Sequence, residues 1–167
     1  MNTLREAPAA RPFAVAAGDG EHVWFTNTHM TIKATAASTG GELFLMEALI
    51  PSGCSPPLHV HHDEHESFYL LEGALDIVCG GERYHAAAGD FMFLPRGIAH
   101  TFRVVSERPA RILNISVPGG AEGFFREVGR PAERPGLPPA GPVDVARLTA
   151  VAARYNNEII GPPLGPS

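Results

Sequence analysis

The stretch that decides the fold runs from Gly53 to Gly73 and reads GCSPPLHVHHDEHESFYLLEG. It sets His59 and His61 two residues apart. In an extended strand residues i and i+2 point to the same side, so both imidazoles can face one metal ion. Glu66 lies five residues beyond His61, the wrong parity for a straight strand. The polar segment from His62 to His65 must therefore turn or bulge to bring the carboxylate round. Glu66 then enters from the start of the next strand as an oxygen ligand.

A second stretch, Gly89 to His100 (GDFMFLPRGIAH), supplies a candidate fourth ligand. A strand, a Pro95–Gly97 turn and a new strand would fold His100 back over the first pair. Three neutral imidazoles and one carboxylate suit a divalent transition metal: Fe, Ni, Mn, Co or Zn. They leave open positions for water, dioxygen or a chelating substrate, and the ligand types alone do not choose among the metals. Glu66 has a second reading as a general base, the catalytic residue of the site, when swung off the metal.

Around these stretches, from about residue 22 to 117, the chain is a series of short extended runs. Ala74–Cys79, Phe91–Leu94, His29–Ala36 and Arg111–Val117 are among them. Turn residues such as Gly40-Gly41, Gly80-Gly81 and Pro95-Arg96-Gly97 punctuate them, which predicts an antiparallel sandwich or barrel. Helical patterning begins only afterwards. Ala121–Gly129 forms a short helix in this reading. A Pro/Gly-rich loop follows, and Asp144 caps a second helix over Val145–Tyr155, with Val145, Leu148, Val151, Ala152 and Tyr155 as an apolar packing stripe. The organisation is an N-terminal extension (1–21), a barrel (22–118) and a C-terminal helical segment and tail (119–167) packed on it.

The two His-bearing stretches resemble the two signature motifs of the cupin superfamily. The first, G-x5-H-x-H-x4-E-x6-G, is matched by Gly53, His59, His61, Glu66 and Gly73. The second, G-x5-P-x-G-x2-H-x3-N, is matched by Gly89, Pro95, Gly97 and His100, with Val104 in place of the final Asn. The resemblance implies an all-β double-stranded β-helix, a jelly-roll barrel with the metal inside it and one or two short C-terminal helices. The segments PGGAEGFFREVGRPAERPGLP and ARYNNEIIGPPL are similar to the ends of bacterial single-domain quercetinase-like cupins. That likeness implies a metal-dependent dioxygenase acting on a small molecule, and a homodimer. A cyclase, isomerase or lyase that uses the metal without dioxygen is the alternative, as is a cupin that binds a ligand without turning it over.

Strand parity sketches the pocket. If Glu66 points inward, Phe68 and Leu70 follow; if His100 does, Phe102 and Val104 follow. Such a lining favours an aromatic or polycyclic substrate that chelates through oxygen over a sugar phosphate. Phe124 and Phe125 are placed to roof its mouth.

Composition sets the outer limits. A chain of 167 residues and 17.8 kDa makes one domain with a proper core. A net charge of −5 without a basic run argues against nucleic acid or an anionic membrane as partner. No apolar run spans a bilayer, and the first residues lack a secretory hydrophobic region, so the expectation is a cytoplasmic protein. Cys54 and Cys79 read as free thiols. Of eight histidines, three are wagered as ligands. His62 and His65 read as solvent-facing or supporting neighbours, and His22, His29 and His85 as surface residues.

Overall fold

The computed structural model describes residues 10–166, so the first nine positions of the N-terminal extension and Ser167 lie outside the described residues. Twelve strands and three helices follow in the order β1 (Glu21–Phe25), β2 (Thr28–Ala34), α1 (Ala36–Thr39), β3 (Phe44–Ile50), β4 (Pro57–His61), β5 (His65–Glu72), β6 (Ala74–Cys79) and β7 (Glu82–Ala87). They continue with β8 (Phe91–Leu94), β9 (His100–Val104), β10 (Ala110–Val117), α2 (Glu122–Val128), β11 (Arg130–Pro131), α3 (Val145–Arg154) and β12 (Asn157–Pro163).

The strands form two antiparallel sheets, ordered β11-β1-β2-β3-β10-β5-β8 and β12-β4-β9-β6-β7. This is the jelly-roll barrel that the motifs imply. Its inner face is written in the strands: β3, FLMEALI, and β10, ARILNISV, bury every second residue. Phe44, Phe68, Leu70, Leu75, Ile77, Leu94 and Ile112 meet between the sheets and are almost wholly buried. Gly73 joins β5 to β6 with φ +82, and a Cβ there would lie 2.9 Å from the Ala110 Cα, so this motif glycine is set by a turn and a close approach.

Three differences from the sequence reading have local causes. The run expected as His29–Ala36 stops at Ala34, because Thr35 and Ser38 close a capping box that starts α1. The tail EIIGPP, expected outside the barrel, becomes β12, an edge strand where its prolines need not donate to a ladder. His29, expected at the surface, is buried, with its ring stacked on His22 at 5.2 Å.

The C-terminal helices are tied to each other and to the barrel. Asp144 caps α3 by accepting from the Arg147 amide at 3.0 Å. Leu148, Val151 and Ala152 are buried, while Val145, at the start of the stripe, remains exposed. Glu127 of α2 pairs with Arg154 and accepts from the Tyr155 hydroxyl at 2.9 Å. Among the described residues no helix is long and apolar enough to cross a membrane.

Candidate metal centre

His59 and His61 come from β4, Glu66 from β5 and His100 from β9, which pairs directly opposite His59. The chain bends at His62 and Asp63 between β4 and β5, the turn that the parity of Glu66 demands. One potential ligand atom from each of the four residues lies within 4.8 Å of the others. The structure thus brings together all four of the residues that the spacing singles out.

The hydrogen bonds fix what these side chains present. His59 Nδ1 lies 2.7 Å from the Pro57 carbonyl oxygen, His61 Nδ1 2.6 Å from Glu64 Oε1, and His100 Nδ1 2.9 Å from the Ile98 carbonyl oxygen. Each partner accepts, so each Nδ1 carries a proton, and it is the Nε2 of each ring that faces the centre as the potential lone-pair donor. Glu66 Oε2 is 3.2 Å from His100 Nε2 and 3.9 Å from His61 Nε2. Among the described residues the buried His61 Nε2 has no hydrogen-bond partner. Lone pairs converging in a buried space repel unless a cation lies between them, so the donor set fits a divalent metal.

For His59 and Glu66 the electrostatics favour the donor forms. Burial, reinforced by His100 and His61, pushes the His59 imidazole down to about 4, which keeps it a neutral donor. Burial works to raise Glu66, but the His100 ring 3.2 Å away and the other surrounding imidazoles outweigh it and hold the carboxyl at about 2. Desolvation works to lower His61, and the Glu64 and Glu66 carboxylates turn the balance upward.

Three polar residues at the site carry no motif signal. Asn114 of β10 donates from Nδ2 to Glu66 Oε1 at 2.6 Å, which leaves Oε2 as the oxygen turned to the histidines. Glu64 holds His61 from behind. Asn157 of β12 lies opposite His61 in the strand register and is buried. An acidic residue three positions after a ligand His was the one available sign of Glu64. Asn114 and Asn157 come to the site only through tertiary pairing. His62 reaches Glu158 at 3.1 Å on the surface, and His65 accepts from the Arg96 amide at 3.2 Å.

A cavity of about 360 Å³ opens from the centre and is lined by His59, His61 and Glu66. Its walls are apolar, with Met30, Met46, Ile50, Phe102 and Ile112. Phe124 and Phe125 of α2, Leu148 of α3 and Ile159 of β12 also line it, and Cys54 contributes a free thiol. Burial raises the Cys54 thiol. Of the residues parity places inward, only Phe102 lines this space. Phe68, Leu70 and Val104 pack in the core instead, with Phe68 against Phe102 edge to face at 5.5 Å. The reason is geometric: the inside of the barrel is part packed core and part cavity, and both take inward-pointing side chains.

A side-chain set that could hold a metal ion inside a jelly roll of this topology is the arrangement of a cupin, and the cupin domain family matches residues 45–116. Over 138 residues, 81% of the chain, it is 32% identical to a quercetin 2,3-dioxygenase of Bacillus subtilis, although it spans only 40% of that enzyme's length. Among solved structures, KdgF from Halomonas sp. superposes with a TM-score of 0.58 at 16% identity, covering 68% of this chain and 99% of that one. A predicted oxalate decarboxylase from Thermotoga maritima superposes equally well, with TM-score 0.58 at 18% identity over 64% of this chain and 99% of that one. At these identities the structural likenesses concern the fold alone.

Proposed function

We propose that the chain is a metal-dependent dioxygenase of quercetinase type, acting on an aromatic or polycyclic substrate that chelates through oxygen. One observation carries the reading: a three-His, one-Glu cluster borders an apolar cavity through His59, His61 and Glu66. At about 360 Å³ the cavity is at the small end of ligand sites, which run from roughly 300 to 1,000 Å³, and suits a molecule of a few fused or linked rings. The similarity to the Bacillus quercetin 2,3-dioxygenase supports the same substrate class.

In this reading His59, His61, Glu66 and His100 hold one divalent transition metal. When bound, that metal would supply Lewis acidity toward a chelating hydroxyl and the proximity that a reaction of substrate with dioxygen needs. Asn114 pins Glu66 Oε1, so Oε2 is the atom that would hold the metal or, with the carboxylate swung off it, receive the hydroxyl proton. Met46 and Phe102 exclude water from the ring system, and Phe124 and Phe125 close over it. Residues 22–118 carry the donors, and α2, α3 and β12 furnish part of the cavity wall. A cytoplasmic homodimer belongs to the same reading.

The test is metal analysis of protein purified without a metal-affinity tag, then oxygen uptake with a panel of flavonols and other enediol-like aromatics. Uptake that stops in metal-stripped protein is the expected result. No uptake by fully loaded protein across the panel refutes the dioxygenase. Turnover under strict anaerobiosis assigns the site to a cyclase, isomerase or lyase instead.

A further inference from the structure

The three histidines of the centre are not held alike. His59 and His100 each donate Nδ1–H to a backbone carbonyl two residues away, an acceptor without net charge. His61 alone donates to a carboxylate, Glu64 Oε1, at 2.6 Å, with both side chains nine-tenths buried or more. We propose that Glu64 is a positioning residue of the metal centre: its carboxylate fixes the tautomer and angle of the His61 ring and makes His61 the strongest imidazole donor of the three. This rests on the reading of the cluster as a metal centre. An anionic acceptor on Nδ1–H draws the proton away from the ring and increases the basicity of Nε2, the nitrogen that faces the centre. Glu64 lies on the far side of the ring and is not itself among the converging ligand atoms.

The plainer role for Glu64 would be to hold the bend between β4 and β5, yet that bend is already tied down without it. The Asn156 side chain donates to Asp63 Oδ1 at 2.7 Å. The His62 amide donates to the Asn156 carbonyl at 3.2 Å, and the Gly97 amide to the His61 carbonyl at 2.7 Å. The Arg96 amide donates to His65 Nδ1 at 3.2 Å. These bonds come from Asn156, in the turn before β12, and from the turn before β9, and they present Glu64 to His61. The loop holds the carboxylate in place. A carboxylate buried this far is costly unless its partner repays it, and His61 is the only hydrogen-bond partner that it has among the described residues.

The experiment is a competition titration with Co(II) as the metal probe, on wild type, Glu64→Gln and Glu64→Ala, with melting of each metal-free protein alongside. Glu64→Gln keeps an acceptor for Nδ1–H and loses the charge; it is expected to bind Co(II) about 10-fold more weakly. Glu64→Ala loses both and is expected to weaken binding by up to about 100-fold. The ligand-field absorption of the bound Co(II) shifts in both. Affinities within about twofold of wild type overturn the proposal, as does a variant that melts lower when metal-free but keeps the wild-type Co(II) spectrum and affinity. If Glu64→Ala does not fold, Glu64→Gln decides alone. If wild type itself binds no Co(II), the metal-centre reading falls and this proposal with it, an outcome distinct from equal binding by all three.

Discussion

Substituting His59 by alanine tests the centre where it is least entangled with the core. His100 is 1% exposed and packed between the sheets, whereas His59 is partly exposed and faces the cavity. In wild type, a metal at about 100 times its dissociation constant stabilises the native state by about 2.7 kcal/mol, because the convergent donors exist only when the chain is folded. For a domain of this size each kcal/mol moves Tm by about 2–4 °C, so saturating metal raises Tm by roughly 5–11 °C. His59→Ala removes one of four donors and one Nε2 lone pair from the repelling set. The metal-free variant is therefore expected within about 4 °C of metal-free wild type. Its metal-dependent increment is expected to vanish at the concentration that saturates wild type. Thermal unfolding followed by two probes, across Mn, Fe, Co, Ni and Zn, reads both quantities. An undiminished increment in His59→Ala, or none in wild type with any of the five metals, refutes the assignment of the donors.

Two other outcomes separate core from cavity and fix a pH response. Phe68→Ala empties a site that is 1% exposed and packed against Phe102, so it is expected to cost about 3–5 kcal/mol and lower Tm by roughly 6–20 °C. Phe102→Ala, half-buried at the cavity wall, is expected to cost less stability and to raise KM for an aromatic substrate; the reverse order counts against the placement of the two rings. Burial lowers the His29 imidazole below its ordinary 6.5, helped by His22 and opposed by Glu47. A base depressed in the folded state stabilises fully above 6.5 and loses that contribution as pH falls from there toward its folded value, because the unfolded chain takes up the proton first. His29→Gln is expected to flatten the stability profile just below pH 6.5, and denaturant titrations at stepped pH that show an unchanged slope would contradict it.

The clustering of the four side chains is legible because their spacing is local. His59 and His61 share a strand face by parity, and the mismatch at Glu66 foretells the bend at His62 and Asp63. Strands β6 and β8 have the bounds the turn residues mark, Ala74–Cys79 and Phe91–Leu94. The residues that hold the ligands were not legible. Asn114 reaches Glu66 across 48 positions of sequence, by way of a strand pair between β10 and β5 that no local pattern announces. Parity placed Phe68, Leu70 and Val104 inside the barrel, where they are, but it does not say which part of the inside is packed and which is open.

The least legible element bears most directly on the site. The β4 strand that carries two of the ligands pairs on one side with β9 by a single register contact, His59 with His100. On its other side β12 runs along it from Pro57 to His61, with Asn157 opposite His61 and Ile159 opposite His59. Most of the backbone order of the ligand strand therefore comes from a segment about a hundred residues later, beyond the span of the cupin match at 45–116. The same segment and the helices before it bring Leu148, Ala152 and Ile159 to the cavity. The donors belong to the barrel and the restraint on β4 to the tail. Changes in β12 should thus reach both the affinity of the centre and the shape of the space above it, although none of its residues is among the converging ligands.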